Sequence, residues 1–410
     1  MSTPTARQVS TDRVKELIAR EEDKFKQARP RSQKLWQEAR EVMPRGVPSS
    51  FQDAAPQPVF MERGKGSRVW DVDGNEYVDF HNGFGVMVVG HAHPKIVDAV
   101  SQRIALGSHF AQPTPDDLQV ARELARRFGL PQWRFTNSGT ESTLDAVRIA
   151  RGFTGRQRLI KMEASYHGHH DALMVSVEPP PELMGPADAP ASVPQSEGIP
   201  PGYLAGLRDV AQRHGALLIF DEVKTGITIA AGGATERFGV TPDLIALAKA
   251  IGGGLPCGAV GGTANVMSVI EEKRVAQMGT FNGNPLTMAA SRVTLYDILD
   301  ASAYAHFDAL AETVQGGLDE VIADHELPFH VITLGARGGI TYRAQRVRNY
   351  RDYLEIDKSF AYLSWLYQCN RGVLMAPGAE ENWTLSVQHS ADDMQRYVDN
   401  FAEMARDLRS

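Results

Sequence analysis

The chain has 410 residues, which is enough for two domains or for one large domain with an appendage. Its composition, 42% hydrophobic and 23% charged with a formal net charge of −7, gives no reason to expect a nucleic acid or an anionic membrane as a partner. No apolar stretch reaches the roughly 20 residues that span a bilayer, no signal peptide is recognisable, and Cys257 and Cys369 lack the spacing of a zinc site or a disulfide framework, so we expect a cytoplasmic protein.

The first 80 residues predict helices and a hairpin. Residues 13–42 are rich in charged side chains with scattered apolar ones, which predicts solvated helices. Residues 68–80 alternate around an Asp-Gly-Asn turn and predict a β-hairpin. Helices and strands then alternate, which favours a mostly parallel sheet covered by helices. The predicted elements are helices 94–105, 115–127, 140–151 and 203–213, and strands 132–136, 158–163, 216–221, 244–249 and 258–262.

A change of pattern divides the chain into predicted domains. Beyond about residue 290, a helix, short strands and a closing helix at 391–408 predict a smaller α+β domain. A segment at 178–202 holds eight of the 23 prolines and predicts a loop or lid. We therefore predict three parts, which are an N-terminal helical segment and arm at 1–67, a large α/β domain at 68–290 and a C-terminal α+β domain at 291–410.

A candidate anion site lies where the predicted strand 132–136 gives way to a helix. Ser138 and Glu141 have the S-x-x-E spacing of a capping box at a helix start. Gly139 and the first-turn amides would form a cup of N–H donors at the positive end of the helix dipole, beside the hydroxyls of Ser138 and Thr140. This arrangement suits a phosphate group, although an ordinary helix cap would use the same residues.

Two acids end one buried strand, and a lysine ends the next. Because successive strand residues face opposite sides, Asp221 and Glu222 cannot do the same job. Ligands of open α/β sheets bind beyond the carboxyl ends of the strands. Asp221 could therefore pair with a buried cation such as a protonated heterocyclic nitrogen, or with an arginine in a structural ion pair. Lys249 could keep its ammonium in water, or burial could keep its amine neutral and free the lone pair for imine chemistry.

Three histidines lie on the loop "YHGHHDA" at 166–172. His167, His169 and His170 invite a metal interpretation, but they have no helical i, i+4 spacing and no second ligand cluster nearby in the sequence. We therefore predict no metal. Tyr166 or His167 would instead stack on a planar ring at the same edge of the sheet.

A phosphate cup, an acid, an aromatic side chain and an amine at one sheet edge form a set that fits pyridoxal phosphate. The sequence resembles the class III aminotransferases of fold-type I, and among them the glutamate-1-semialdehyde 2,1-aminomutase branch. The resemblance extends over nearly the whole chain from residue 30 onward. Its motifs occur in family order: "VWDVDGNEYVDF", "GHAHP", "TNSGTES", "YHGHHDA", "LIFDEVKTG", "ALAKAIGGGLPCGAVGG", "GTFNGNPLTMAAS" and "WTLSVQH".

The resemblance implies a role for each residue around the cofactor ring. Lys249 would be the Schiff-base lysine, and the glycines after it would let the backbone approach the cofactor. Asp221 would be the partner of the pyridinium nitrogen. Val223 would pack on one face of the ring and Tyr166 on the other, with His167 also in the cofactor site.

The resemblance also implies how the phosphate is held and which reaction follows. Ser138, Gly139 and Thr140 would hold the phosphate, and Thr280 would reach the phosphate of the neighbouring subunit in a homodimer. The implied reaction moves an amino group from an amino acid or amine to a carbonyl compound. It would proceed by a ping-pong mechanism through the pyridoxamine form of the cofactor.

Two positions depart from the aminomutase branch. Gln52 stands where the branch carries an arginine that pairs with the substrate carboxylate, and an amide cannot match a bidentate guanidinium–carboxylate pair in strength. Phe84 stands where the branch tends to have tryptophan. With Gln52 and Phe84 as candidate substrate residues, an aminotransferase is favoured, and the aminomutase reaction is the alternative.

One stretch is shorter than in the resembled family. Between Pro200 and Pro201 the family normally has several tens of residues more, including a central strand. Losing that strand would leave its neighbours with unpaired backbone groups, each costing about 1–3 kcal/mol if buried. A catalytically impaired protein of the same fold is therefore a third hypothesis. A nucleotide-dependent oxidoreductase is disfavoured, because no G-x-G-x-x-G opens a helix.

Overall fold

A computed structural model describes residues 9–174, 176, 177, 179, 181, 184, 203–376 and 383–410. Most of the Pro-rich segment 178–202, with its loop prediction, and the Pro200–Pro201 connection lie outside the described residues. The chain forms two compact units: the described residues of Met1–His93, Ala305–Arg346 and Glu355–Ser410, and those of Pro94–Tyr304 and Val347–Leu354. These units divide the chain after His93 and Tyr304, whereas the predicted domains change at 67/68 and 290/291. The domain assignment stays a prediction.

The helices of the described residues are α1 (Thr11–Gln27), α2 (Pro30–Ala39), α3 (Asn82–Gly85), α4 (Pro94–Ala105), α5 (Pro115–Phe128), α6 (Gly139–Thr154), α7 (Tyr203–Arg213), α8 (Gly233–Phe238), α9 (Ala264–Glu271), α10 (Pro285–Val293), α11 (Ala301–Asp324), α12 (Tyr350–Leu354), α13 (Lys358–Asn370) and α14 (Ala391–Arg409). The strands are β1 (Met61–Lys65), β2 (Arg68–Asp71), β3 (Glu76–Asp79), β4 (Gln132–Thr136), β5 (Ile219–Asp221), β6 (Leu244–Ala248), β7 (Gly258–Gly262), β8 (His330–Leu334), β9 (Arg337–Thr341), β10 (Val373–Leu374) and β11 (Trp383–Thr384). Of the helices described, none is both long and apolar enough to cross a membrane.

The unit that begins at Pro94 is built on a four-stranded sheet in the order β4-β7-β6-β5. β4, β5 and β6 run in one direction, and β7 runs against them, so it pairs antiparallel with both neighbours. The sheet is therefore mostly parallel in strand direction, as predicted. β6 and β7 are buried along their whole length. Helix α6 covers them through Ala146 and Ile149, which pack with Leu244 and Val260.

Helix α5 illustrates why the predicted helix bounds are close to the observed ones. Its first turn begins at Pro115, and Thr114 and Asp117 form a capping box before it. Its last turn ends at Gly129, whose φ of 67° is a left-handed conformation that favours glycine. These signals lie within a few residues of the helix ends, so the amino-acid sequence alone is enough to place the helix.

The predicted strand at 158–163 is wrong, and the one at 216–221 is shorter than predicted. Residues 158–163 form a loop in which Ile160 is 82% exposed. β5 covers only Ile219–Asp221, and in the described sheet it is an edge strand that pairs with β6. A strand needs a neighbour for its backbone N–H and C=O groups. A three-residue edge offers little to pair with, and three of the six residues at 158–163 are charged, so this segment stays a loop.

The unit that begins at the N-terminus contains two small sheets. One has the order β1-β2-β3-β10, with β10 parallel to β3, and the other is the antiparallel sheet β11-β9-β8. The predicted hairpin at 68–80 is confirmed as β2 and β3. In its turn the Asp71 carboxylate accepts hydrogen bonds from the N–H groups of Asp73 (3.0 Å) and Asn75 (2.8 Å). Helix α14 matches the predicted closing helix.

Candidate active site

Helix α6 begins directly after β4, and its first residues form the predicted cup. Ser138 Oγ accepts a hydrogen bond from Glu141 N at 3.2 Å. The Glu141 carboxylate accepts from Asn137 N at 2.7 Å, one residue earlier than in a capping box. Ser138 accepts this bond with its oxygen, so its hydroxyl hydrogen can still be donated to an anion. The first N–H groups of a helix have no hydrogen-bond partner within the helix, so they can be donated as well. The ordinary cap and the anion site are therefore compatible.

Three chain segments meet at the start of α6 and leave no room for extra side chains. A Cβ on Gly139 would lie 2.6 Å from Val223 Cγ1. A Cβ on Gly168, whose φ is 95°, would lie 2.8 Å from Thr140 Cα. His169 N donates to Thr140 Oγ1 at 3.4 Å. The loops after β5 and around Gly168 thus form a tight cradle around the predicted phosphate cup.

Asp221 ends β5 and is held by two hydrogen bonds. Its Oδ2 lies 2.6 Å from Nδ1 of His167, and its Oδ1 accepts from Val223 N at 3.0 Å. The side chain is 17% exposed, so a ligand can still reach the carboxylate. His167 was predicted to stack on a ring or to hold the cofactor. In the structure it fixes the orientation of the Asp221 carboxylate.

Glu222 points away from this site, as the alternation of strand residues predicts. Its side chain is 2% exposed and accepts hydrogen bonds from Ala234 N at 2.8 and 2.9 Å and from Thr225 Oγ1 at 3.1 Å. These bonds cap the start of α8. Burial raises the pKa of the Glu222 carboxyl to about 7. The two adjacent carboxylates therefore have different surroundings and different tasks.

Lys249 follows the fully buried β6 and is half-buried. Its φ of 52° is left-handed, which costs a residue with a Cβ roughly 1–2 kcal/mol. β5 and β6 are parallel neighbours with Asp221 opposite Ala246, so both strands present their carboxyl ends at one edge. Ser142 Oγ of α6 donates to Leu247 O at 2.9 Å, which holds the end of β6 beside the start of α6. The structure thus brings the lysine, the acid and the cup to the same sheet edge.

Packing and backbone conformation explain the glycines after Lys249. Gly253 and Gly254 have φ values of 58° and 101°. A Cβ on Gly252 would lie 2.8 Å from Cys257 Cβ, and one on Gly253 would collide with Thr294 Oγ1. Packing within the protein is therefore enough to explain why these positions are glycines. The close approach of the backbone to the cofactor, which the resemblance implied, is not needed for that explanation.

The remaining predicted residues of this unit lie on exposed loops. Tyr166 is 46% exposed beside His167. Thr280 is exposed on the loop that precedes α10. Asn282 on the same loop accepts a hydrogen bond from Asn137 Nδ2 at 3.0 Å, which anchors that loop next to the first residues of α6.

Two of the three histidines on the 166–172 loop have side-chain partners that lie apart from each other. His167 contacts Asp221, and His170 Nε2 lies 3.4 Å from Thr143 Oγ1. Burial lowers the pKa of His170. Throughout the described part of the chain, no three or more His, Cys, Asp or Glu side chains are grouped to hold a metal ion.

Gln52 and Phe84 belong to the other compact unit. Gln52 lies exposed at the end of a short 3₁₀ turn. The Phe84 ring lies 5.5 Å from the ring of Phe51 and 4.3 Å, edge-on, from that of His81, measured between centroids. Phe84, one of the two predicted substrate residues, therefore lies in a group of three aromatic side chains with Phe51 and His81.

Two contacts of the site had no signal in the sequence. The His167–Asp221 pair is separated by 54 positions and the Asn137–Asn282 pair by 145. The sequence motifs contain His167 and Asn282. They do not show that His167 contacts Asp221 or that Asn282 contacts Asn137, because these contacts depend on how the loops pack.

Hydroxyl and amide donors, an oriented carboxylate and an amine at one sheet edge are the groups that pyridoxal phosphate needs for its phosphate, ring nitrogen and aldehyde. The glycines at 139 and 168 hold the loops close around the cup. The residues present fit the cofactor, and fold and site together define a pyridoxal-phosphate enzyme of fold-type I.

The model of the aminotransferase class-III family matches residues 50–190 and 195–364, so the chain belongs to that family and depends on pyridoxal phosphate. It is 33% identical over 425 residues to glutamate-1-semialdehyde 2,1-aminomutase 2 of Brevibacillus brevis, covering 90% of this chain and 97% of the relative. A glutamate-1-semialdehyde aminomutase structure from Pseudomonas aeruginosa PAO1 matches with a TM-score of 0.87 at 28% identity, covering 98% and 99% of the two chains. A β-phenylalanine aminotransferase from Variovorax paradoxus matches with a TM-score of 0.85 at 28% identity, covering 95% and 97%. The predicted family, fold class and cofactor are confirmed.

Proposed function

We propose that this enzyme is an aminotransferase that moves an amino group between two molecules, an amino acid or amine donor and a carbonyl acceptor. The observation that carries the proposal is Gln52, which stands exposed where the aminomutase branch has a carboxylate-binding arginine. Arg45, the nearby alternative, forms an ion pair with Asp53 and is 74% exposed. Neither position supplies a guanidinium dedicated to the carboxylate of glutamate-1-semialdehyde.

In the proposed site each residue would hold one part of the cofactor. Lys249 would bind it covalently, and Asp221 would pair with its ring nitrogen. Val223 and Tyr166 would cover the two ring faces. Ser138, Gly139 and Thr140 would hold the phosphate. The close packing of Gly139 on Val223 and the bond between His167 and Asp221 support this assignment.

The mechanism follows from what these side chains can do with protons. When bound, pyridoxal phosphate supplies an aldehyde that captures amines and a ring that accepts electrons. Once the substrate amine has displaced it, Lys249 would be a free neutral amine that takes the proton from the carbon bearing the substrate amino group and later returns that proton as a general acid. Asp221 holds a proton on the ring nitrogen through its negative charge. His167 keeps the Asp221 carboxylate in position for that task.

The aminomutase reaction is the second candidate, because the Brevibacillus brevis relative is named for it. Gln52→Arg separates the two. If the proposal holds, wild-type activity on glutamate-1-semialdehyde is low, and Gln52→Arg raises its kcat/KM roughly tenfold or more, since a charge-assisted bond exceeds a neutral one by about 1.4 kcal/mol. High wild-type activity that neither Gln52→Arg nor Gln52→Ala changes would establish the aminomutase instead.

The third candidate, an impaired protein, arises from the short segment. The family match is interrupted between residues 190 and 195, within the Pro-rich segment. The alignment with the Brevibacillus brevis relative spans 425 positions and covers 90% of this chain of 410 residues, so that relative has residues with no counterpart in this chain. Titrating the purified protein with pyridoxal phosphate decides the matter. A coloured complex that borohydride bleaches supports the enzyme, and absence of cofactor uptake supports impairment.

We further propose a cytoplasmic homodimer in which Thr280 contacts the phosphate held by the partner. The bond between Asn137 and Asn282 supports a defined position for the loop that carries Thr280. Sedimentation of the holoenzyme tests the dimer. A monomer that retains full turnover would refute it.

A further inference from the structure

Helix α6 carries one buried hydroxyl group to which no sequence motif assigned a role. Thr143 lies in the second turn of α6, after the predicted phosphate cup, and is 4% exposed. Its Oγ1 lies 2.7 Å from His167 O, and 3.1 Å from both Gly139 O and Thr140 O. A hydroxyl group has one hydrogen to donate, so these three carbonyl oxygens compete for it.

The distances and the geometry of the helix assign this hydrogen to His167 O. In an α-helix, each carbonyl group, including those of Gly139 and Thr140, accepts from the N–H four residues later. His167 O belongs to a loop outside the helix. The distance of 2.7 Å is typical of an O–H···O bond, whereas 3.1 Å exceeds the usual range. Thr143 therefore ties the backbone of the 166–172 loop to α6.

His170 completes the surroundings of this hydroxyl group. Its Nε2 lies 3.4 Å from Thr143 Oγ1, and its buried Nδ1 has no hydrogen-bond partner among the described residues. Burial lowers the pKa of His170, which favours the neutral ring. A neutral imidazole has one N–H. Placing that hydrogen on Nε2 directs it at the lone pairs of Thr143 Oγ1, and the hydroxyl hydrogen of Thr143 then points to His167 O.

The backbone that Thr143 holds also carries the imidazole that holds Asp221. His167 Nδ1 lies 2.6 Å from Asp221 Oδ2, while the carbonyl group of the same residue accepts from Thr143. The next residue, Gly168, packs so closely that a Cβ on it would lie 2.8 Å from Thr140 Cα. His167 is therefore fixed to α6 through its backbone and to β5 through its side chain. A shift of the loop away from α6 would move the imidazole relative to the Asp221 carboxylate.

We propose that Thr143 is a positioning residue for amino transfer, which holds His167 where its imidazole orients the Asp221 carboxylate toward the ring nitrogen of the cofactor. The inference rests on the proposed function, which gives Asp221 that partner. Thr143 acts on the carboxylate only through His167. Its effect on turnover should therefore disappear when the His167 side chain is replaced.

Steady-state kinetics of the holoenzyme, with the amino donor on which the wild type is fastest, test this by removing the hydroxyl group alone. Thr143→Val keeps the shape of the side chain and leaves His167 O without this donor. It should lower kcat roughly 5- to 30-fold and change KM less than twofold. Thr143→Ser restores the hydroxyl group and should stay within about threefold of the wild type. In a His167→Gln background, Thr143→Val should change kcat less than about twofold, because the connection to Asp221 is already broken.

A second measurement needs neither substrate nor cofactor. In the apoenzyme with isotope-labelled histidines, the proton in the 2.6 Å contact between His167 and Asp221 should give a strongly downfield NMR resonance that His167→Gln removes. Thr143→Val should shift or broaden this resonance, and Thr143→Ser should retain it. A resonance that Thr143→Val leaves unchanged would show that Thr143 does not position His167.

Thr154→Val is the matched control, because Thr154 Oγ1 lies 2.8 Å from Ala150 O and bonds within the same helix. It should leave both kcat and the resonance unchanged. Circular dichroism and the absorbance of the bound cofactor confirm that each variant is folded and loaded. Thr143→Ala removes the same hydroxyl group with a smaller side chain, and it repeats the comparison if the valine variant does not fold.

Three kinetic results would overturn the inference while leaving the aminotransferase function intact. They are a wild-type kcat in Thr143→Val, a loss of kcat that Thr143→Ser does not recover, and an equal loss with and without the His167 side chain. A wild-type enzyme that transfers no amino group from any donor would instead refute the proposed function. In that case the resonance of the apoenzyme still decides whether Thr143 holds His167.

Discussion

Replacing Glu222 by glutamine tests the separation of tasks between two adjacent carboxylates. Burial raises the pKa of Glu222 from 4.5 to about 7. A raised carboxyl pKa means that the folded chain binds this proton more tightly than the unfolded chain does. The stability due to neutral Glu222 is therefore complete below about pH 4.5 and is lost as the pH rises through about 7. Between pH 4.5 and about pH 7 the contribution of Glu222 to the free energy of unfolding therefore falls by about 3 kcal/mol, at about 1.4 kcal/mol per pH unit.

Glutamine keeps the shape of the neutral carboxyl group and cannot ionise. The free energy of unfolding of Glu222→Gln, minus that of the wild type, should therefore rise by about 3 kcal/mol between pH 4.5 and pH 8. Urea denaturation of both proteins, followed by tryptophan fluorescence at several pH values, measures this difference. The other titrating groups are common to both proteins and cancel in the subtraction.

Asp221→Asn is the matched change one residue earlier. We expect it to lower kcat by several orders of magnitude, because the ring nitrogen loses its anionic partner, whereas Glu222→Gln should keep turnover within a few-fold of wild type. A stability difference that does not vary with pH would refute the burial argument. A similar loss of kcat in both variants would refute the separation of tasks.

Two further changes test the cofactor site directly. Lys249→Ala should abolish turnover and the borohydride-fixed cofactor adduct on that peptide, while circular dichroism stays native; wild-type-like transamination would exclude Lys249 as the catalytic amine. Gly139→Ala should weaken pyridoxal-phosphate affinity at least tenfold, because its Cβ would lie 2.6 Å from Val223 Cγ1; an unchanged dissociation constant in a fluorescence titration would show that the cup does not hold the phosphate.

Elements with local signals were predictable from the sequence to within a few residues. Helix α4 at Pro94–Ala105 and strand β7 at Gly258–Gly262 have the predicted bounds. Proline at the start of α4 and the all-buried character of β7 are properties of the segments themselves. The direction of β7, which runs against its neighbours, has no such local signal, because it depends on which strands β7 pairs with.

The same distinction applies to the site. Ser138, Asp221 and Lys249 each lie at the end of a strand or just after it, so their common edge could be inferred from the order of elements. The bond from His167 to Asp221 depends on how the loops pack, so the order of elements does not predict it.

Because residues 158–163 do not form the predicted strand, the question arises whether the acid and the lysine are positioned without a strand beyond β5. In the described sheet β5 is an edge strand of three residues, yet all three pair with β6, and Asp221 is the last of them. The Asp221 carboxylate is held by His167 and by Val223 N, neither of which requires a strand beyond β5. Lys249 is held by β6, which lies between β5 and β7. The contacts that position the acid and the amine therefore do not depend on residues of the Pro-rich segment, which favours an active aminotransferase over an impaired one.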